Sequence, residues 1–399
     1  MGSSEGRRGG GRMHTRIVHK GNDPASLGGM VNPPVYHGST VVFPTLAALE
    51  QSRIDHELKD RVVYGRLGSR STFALENSVA DLEGGFGALS VSSGLAAVTT
   101  TILAFAGAGD HVLVADTVYG PTRKFCDAFL TRMGVTVEYY DPLIGAGIAS
   151  RFRGNTSLVF MESPGSITFE VQDAPAIADA ARSRGIITAL DNSWATPLYF
   201  RPLEHGVNVS LIAATKYIVG HSDATLGLAV CDTEENFYRV KQSRDLVGQS
   251  LAPDDVYLGL RGLRTLGVRV EKHQQQALEL AHYLSGRQEV LAVFHPAFPD
   301  CPGHEVWLRD FSGSTGLFSV LLKPGSHDSL RAMLDGMRFF SMGFSWGGYE
   351  SLIVPQYPQS SRSACPWNRE GQIIRLHAGL EDIQDLLEDL EAALERYSA

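Results

Sequence analysis

The 399-residue chain predicts an α/β fold in which a mostly parallel sheet is covered by helices on both faces and a smaller α+β domain follows. Short apolar runs at 112–115, 158–161, 186–190 and 226–230 read as strands. Helical patterns such as 174–183 lie between them, and that alternation is the signature of a parallel sheet. The length is too great for one small core and predicts two domains.

Taken in order, residues 1–14 form a Gly/Arg-rich tail expected to be disordered, with no apolar run of the kind a secretory signal needs. Residues 15–60 read as an extended N-terminal arm, because Asn32-Pro33-Pro34 and Phe43-Pro44 block regular helix. Residues 61–254 form the large domain. It opens with a strand at 88–91 that runs into a small-residue helix starting at Ser92-Ser93-Gly94. In open sheets of this class ligands bind at the carboxyl ends of strands, which is where Asp191 and Thr215-Lys216 fall. A long helical region, 255–286, begins the C-terminal domain (255–399), whose strands are expected at 290–294, 317–322 and 373–377. Ile383, Leu386, Leu387, Leu390 and Leu394 give the last helix its apolar face.

Composition narrows the function. With 43% hydrophobic and 20% charged residues the chain is an ordinary soluble protein. A net charge of −9 argues against nucleic acid or an anionic membrane as partner. The histidines form no His-x-x-x-His pattern and the cysteines no Cys-x-x-Cys, so no metal is expected. Cys126, Cys231, Cys301 and Cys365 are widely spaced, which suits reduced thiols and a cytoplasmic protein. The longest apolar tract, 95–108, falls short of the ~20 residues that span a bilayer.

Two residues carry the chemistry. Lys216 lies just beyond an apolar run with the Thr215 hydroxyl before it, and Asp191 lies where another apolar run gives way to a turn. A lysine that condenses with an aldehyde and a carboxylate that holds a pyridinium nitrogen are the groups pyridoxal 5'-phosphate (PLP) asks of its protein. Ser93-Gly94-Leu95 opens a helix, and its N–H groups suit an anion or simply a tight N-cap. Walker and Gly-x-Gly-x-x-Gly motifs are missing from the sequence, which removes the usual support for a nucleotide. Arg375 sits inside an apolar strand and needs an anionic partner, either a ligand or a local acid such as Glu381.

These residues, with Tyr64-Gly65-Arg66, Tyr119-Gly120-Pro121, Ser345-Trp346-Gly347-Gly348 and Arg375-Leu376-His377, resemble the Cys/Met-metabolism family of PLP enzymes from about residue 15 to the last helix. The resemblance implies the aspartate-aminotransferase-like (fold type I) architecture and a homotetramer of dimers that share active sites. It assigns Gly94, Leu95 and Thr215 to the cofactor phosphate, together with Tyr64 and Arg66 from a neighbouring subunit. It also places Tyr119 on the cofactor ring, Asp191 on the ring nitrogen and Lys216 at the aldehyde. Ser345, Trp346 and Arg375 are assigned to the substrate, and either Lys216 or Tyr119 to proton abstraction. There are departures: Ala213 stands where many members carry a phosphate-binding serine. Phe344 replaces the glutamate of γ-type relatives, and Pro121 the cysteine of methionine γ-lyases. The last two favour a carbon–sulfur β-lyase acting on an S-substituted cysteine such as cystathionine, with a γ-lyase or γ-synthase as the alternative. Residues 354–367 are expected to help shape the distal substrate pocket.

Overall fold

The computed structural model describes residues 11–55 and 58–398. Its main sheet has seven strands: β1 (Gly87–Val91), β2 (His111–Ala115), β3 (Thr136–Tyr140), β4 (Thr156–Glu162), β5 (Ile187–Asp191), β6 (Val209–Ile212) and β7 (Gly227–Cys231). They are ordered β1-β7-β6-β5-β4-β2-β3. The β3-β2-β4-β5-β6 stretch is parallel, whereas β7 runs antiparallel to both its neighbours. Strands buried on both faces have no reason to alternate, so β2 reads as an unbroken apolar run after His111. Two strands escaped the sequence reading, β3 and, in the C-terminal sheet, Leu352–Gln356, while the strand expected just before Lys216 is β6.

The N-terminal segment is less extended than expected. Of the predicted tail, residues 1–10 lie outside the described residues, and a helix begins at Met13. Helix α1 (Met13–His19) buries Ile17 and pairs Arg16 with Asp81 of α3 (Arg70–Glu83) at 2.9 Å. A second arm helix, α2 (Leu46–Asp55), follows Phe43-Pro44 and lies almost wholly exposed. Between them the chain forms only one short 3-10 turn, Pro24–Leu27, and no regular α-helix, as the later prolines predict.

The C-terminal sheet is antiparallel: β8 (Val290–Phe294), β9 (Leu317–Leu322), β10 (Leu352–Gln356) and β11 (Gln372–His377), ordered β10-β11-β9-β8. The single helical region expected over 255–286 is two helices, Pro253–Leu263 and Leu266–Ser285. The first packs Val256, Leu260 and Leu263 against Leu75 and Val79 of α3, so the large-domain core continues past residue 254. The second bridges both cores. Leu266 and Val270 join the α3 cluster, whereas Ala277, Leu280 and Leu284 join the core of the antiparallel sheet.

A buried carboxylate ties the C-terminal loop to the end of β2. Asp116, 1% exposed, accepts from the backbone N–H groups of Ser363, Ala364 and Cys365 at 2.7–3.1 Å and pairs with Arg123. Burial pushes its pKa up, but the Cys365 and Ser363 N–H groups and Arg123 outweigh it, leaving it below the usual range. A depressed carboxylate contributes stability that is present above its unfolded pKa and lost as pH falls through the folded one. Removing it strands the three backbone N–H groups, the Ser363 hydroxyl and Arg123. Asp116→Ala is therefore expected to cost about 3 kcal/mol at neutral pH in a denaturant titration, and less of it in acid.

Candidate active site

At the carboxyl edge of the main sheet lies a cavity of about 250 Å³. Each wall is the continuation of a strand. Beyond β1, Ser93 caps α4 (Gly94–Phe105), accepting from Ala96 N–H at 3.1 Å. Beyond β2 comes Tyr119, β4 ends in Glu162, β5 ends in Asp191, and the turn after β6 carries Thr215 and Lys216. The C-terminal sheet contributes Arg375 from β11 and, from the loop that precedes β10, Phe344 and Trp346.

The cavity thus gathers Gly94, Leu95, Tyr119, Asp191, Thr215, Lys216, Trp346 and Arg375 of the residues expected from sequence. Ser345 joins them by accepting from Lys216 Nζ at 2.8 Å. Tyr64 and Arg66 do not line it; Tyr64 is exposed and Arg66 donates to the Asp245 carbonyl at 3.2 Å. Residues 354–367 do not line it either. That expectation is corrected: Arg362 of this loop braces the wall from behind, pairing with Glu170 at 2.9 Å and bonding Thr168. The wall itself, Ser166 and Ile167, is a tight loop in which Ile167 takes φ of +77°, costly for a β-branched residue.

Electrostatics distinguish the charged groups. Burial lowers the Lys216 amine to about 8, Arg375 pushes the same way, and Asp191 opposes both. The Nζ sits 5.2 Å from the Trp346 ring centre. Asp191 is raised by burial, which the Ser193 side chain and its N–H (3.0 Å) counteract. Glu162 pairs with Asp191 in register and is pushed well above the carboxylate range by burial and by that neighbour, so of the two carboxyls Glu162 favours its proton more strongly. Glu162 also accepts from the Tyr119 N–H at 2.6 Å. Burial raises the Tyr119 phenol too. The alternative partner for Arg375 is not realised. Glu381 is taken up by the Ser351 N–H and hydroxyl at 2.7 and 2.8 Å, and among the described residues Arg375 makes no ion pair, donating only to the Phe344 carbonyl.

The donor set fits a phosphorylated pyridine aldehyde. The Gly94 and Leu95 N–H groups begin a helix, face the cavity and have no acceptor among the described residues, so they make an anion cradle. A Cβ on Gly94 would come within 2.5 Å of the Ala213 Cβ, which explains glycine where the helix start meets the lysine turn. Thr215 lines the cavity, but its hydroxyl donates to the Leu226 carbonyl at 3.1 Å and accepts from the Leu226 N–H at 2.9 Å. A phosphate would therefore compete with the backbone for that hydroxyl. Glu162 and Ser193 were missed by sequence reasoning. The only signal for Glu162 was an acid at the end of a strand beside the strand of Asp191.

The model of the Cys/Met metabolism PLP-dependent enzyme family matches residues 14–395. The chain belongs to that family. A Rhizobium johnstonii chain is 48% identical, with 97% of each chain covered. The cystathionine beta-lyase of Escherichia coli K12 is 42% identical over 96% of this chain and 98% of its own. Among solved structures, the cystathionine gamma synthase of Xanthomonas oryzae superposes with a TM-score of 0.89 at 29% identity, covering 98% of this chain and 99% of that one. The protein is accordingly a PLP-dependent enzyme of the fold type I class.

Proposed function

We propose that the protein is a carbon–sulfur β-lyase that converts L-cystathionine, or a related S-substituted cysteine, and water to a thiol such as homocysteine, pyruvate and ammonia. The observation that carries this reading is the placement of Lys216, Asp191 and Arg375 in one cavity with Phe344 at its mouth. Phe344 is 93% exposed, and its side chain offers no polar group to a γ-type reaction, which must also move a proton at the substrate β-carbon. The naming of the Escherichia coli relative supports the same branch.

PLP, when bound, supplies an electron sink for the pair released at the substrate Cα. The protein's own groups do the rest. Asp191 supplies the negative charge that favours a protonated ring nitrogen, and Glu162 beside it, the carboxyl driven further toward its neutral form, competes with it least for that charge. Arg375, which makes no ion pair among the described residues, is free to grip the substrate carboxylate through its two-pronged donor edge. That grip orients the Cα–H bond toward Lys216. Lys216 rather than Tyr119 takes the proton, because burial brings the amine down toward neutrality and drives the phenol further from it. Ser345 holds the amine by its 2.8 Å hydrogen bond.

The reading extends to assembly. Tyr64 and Arg66 stand outside their own chain's cavity, and Met30, Val31, Val42, Leu46 and Ile54 on the arm are exposed. Both features support a homotetramer of dimers in which the arm of one subunit completes its neighbour's phosphate site. The four cysteines are unpaired, which supports a reducing, cytoplasmic setting.

One assay decides the reaction. With cystathionine as substrate we expect pyruvate and homocysteine; 2-oxobutyrate and cysteine as the main products would replace this reading by the γ-lyase alternative.

A further inference from the structure

His377 closes β11 two residues beyond Arg375 and does not line the cavity, yet it is 1% exposed directly behind it. Its two ring nitrogens have opposite duties. The Gly347 N–H, which can only donate, points at Nε2 from 3.0 Å, and the Glu350 carbonyl, which can only accept, lies 3.1 Å from Nδ1. The two contacts together admit one form, the neutral imidazole with its proton on Nδ1. Gly347 is the pivot of the turn that carries Ser345 and Trp346. Its φ is +86°, and a Cβ there would lie 2.9 Å from the Lys216 carbonyl carbon and the Tyr217 nitrogen. The turn is therefore pressed against the backbone of the lysine itself. Ser345 Oγ takes the Lys216 hydrogen bond, and the Trp346 ring lies beside the same amine.

We propose that His377 is a positioning residue: a neutral imidazole whose bare Nε2 holds the Gly347 turn and so sets Ser345 and Trp346 against the Lys216 amine. The groups around it agree with that form. The His273 ring lies tilted at 5.0 Å with its own Nδ1 on the Ala378 carbonyl, Tyr217 packs at 6.0 Å, and burial first, then His273, Arg375 and Lys216, disfavour a second proton on the ring. Protonation at Nε2 would break the Gly347 bond outright.

The inference rests on Lys216 being the reacting amine, and the test keeps the two apart. Borohydride reduction of the wild-type holoenzyme with peptide mapping comes first; a pyridoxyl tag elsewhere than Lys216 overturns that underlying reading. Two variants then divide the imidazole. His377→Asn keeps a donor at the Nδ1 position and loses the acceptor, whereas His377→Gln keeps an acceptor at the Nε2 position. His377→Asn is expected to lower kcat by about 10- to 100-fold with KM changed less than about threefold. It should also move the pH midpoint of the visible absorption of the lysine-bound cofactor, because Lys216 loses its fixed partner. His377→Gln should recover kcat to within about fivefold of wild type and restore the midpoint. An Asn variant with wild-type kcat and midpoint, or equal losses in both variants, overturns the proposal. Where the Asn chain does not fold, the Gln chain decides alone: near-wild-type kcat and midpoint support the lock, and a loss of about 100-fold overturns it.

Discussion

Lys216→Ala is expected to lower turnover by at least about 10³-fold while leaving the fold intact. The size follows from the amine doing two jobs, capture of the cofactor aldehyde and movement of the Cα proton, neither of which another residue in the cavity can assume. Arg375 is a permanent cation, Tyr119 is raised by burial and Glu162 already holds a proton. The lowered amine also fixes a pH signature. Covalent capture of PLP by the apoprotein needs the neutral amine, so its rate should climb with pH to a midpoint of about 8 and then level. In Arg375→Leu the midpoint should move up, because one of the two influences that lower it, the smaller after burial, is gone. Stability carries the same mark with a definite sign. A lysine bound less tightly to its proton when folded makes the apoprotein more stable as pH rises from about 8 toward its ordinary value of 10.5. Lys216→Ala should lack that rise in a thermal or urea denaturation series. A variant that keeps wild-type turnover would remove Lys216 from the mechanism.

The parts of this site that could be read from sequence are those a strand end delivers directly. Asp191 closes a buried apolar run and Lys216 follows a second one, so pattern alone placed both at the carboxyl edge of a parallel sheet. The strands that were missed lack that signal for identifiable reasons. β3 is an edge strand with a polar, half-exposed face, and β10 contains Pro355, tolerated there because β10 is also an edge. Contacts between distant segments were not legible. Whether Arg375 meets Glu381 or a ligand turned on the Ser351 hydroxyl, which claims Glu381 first. Likewise Glu162 matters because register sets it beside Asp191, a fact about strand pairing that no local pattern encodes. The loop after β10 was expected in the pocket because of its aromatic and proline residues, yet Asp116 and Glu170 hold it against the outside of the wall. Tyr64 and Arg66 remain assigned through the family resemblance, since a single chain cannot bring them to its own cavity.

The second large effect is expected from Asp191→Asn, with kcat lowered at least about 10²-fold and apoprotein stability unchanged or increased. The two halves have one cause. Asp191 lies in a site that burial makes hostile to charge, beside a second carboxyl, and among the described residues Lys216 favours its charge only from a distance, without an ion pair. Its folded pKa is raised, so the ionised form opposes folding once pH exceeds the unfolded value, and a neutral amide relieves that. The Asn Oδ1 can still accept the Ser193 N–H, so the turn after β5 has no reason to move. With PLP in place the balance reverses, because the protonated ring nitrogen is the cation this carboxylate lacks, and an amide cannot hold that proton on the ring. Glu162 cannot substitute, since it is neutral when Asp191 is charged. Relieved of that neighbour in the Asn variant, it still faces the larger cost of burial. Denaturation of apo- and holoenzyme alongside steady-state rates reads all three quantities. A variant with near-normal kcat, or one whose apoprotein is markedly destabilised, would mean that Asp191 is structural and that the ring nitrogen is held by some other group.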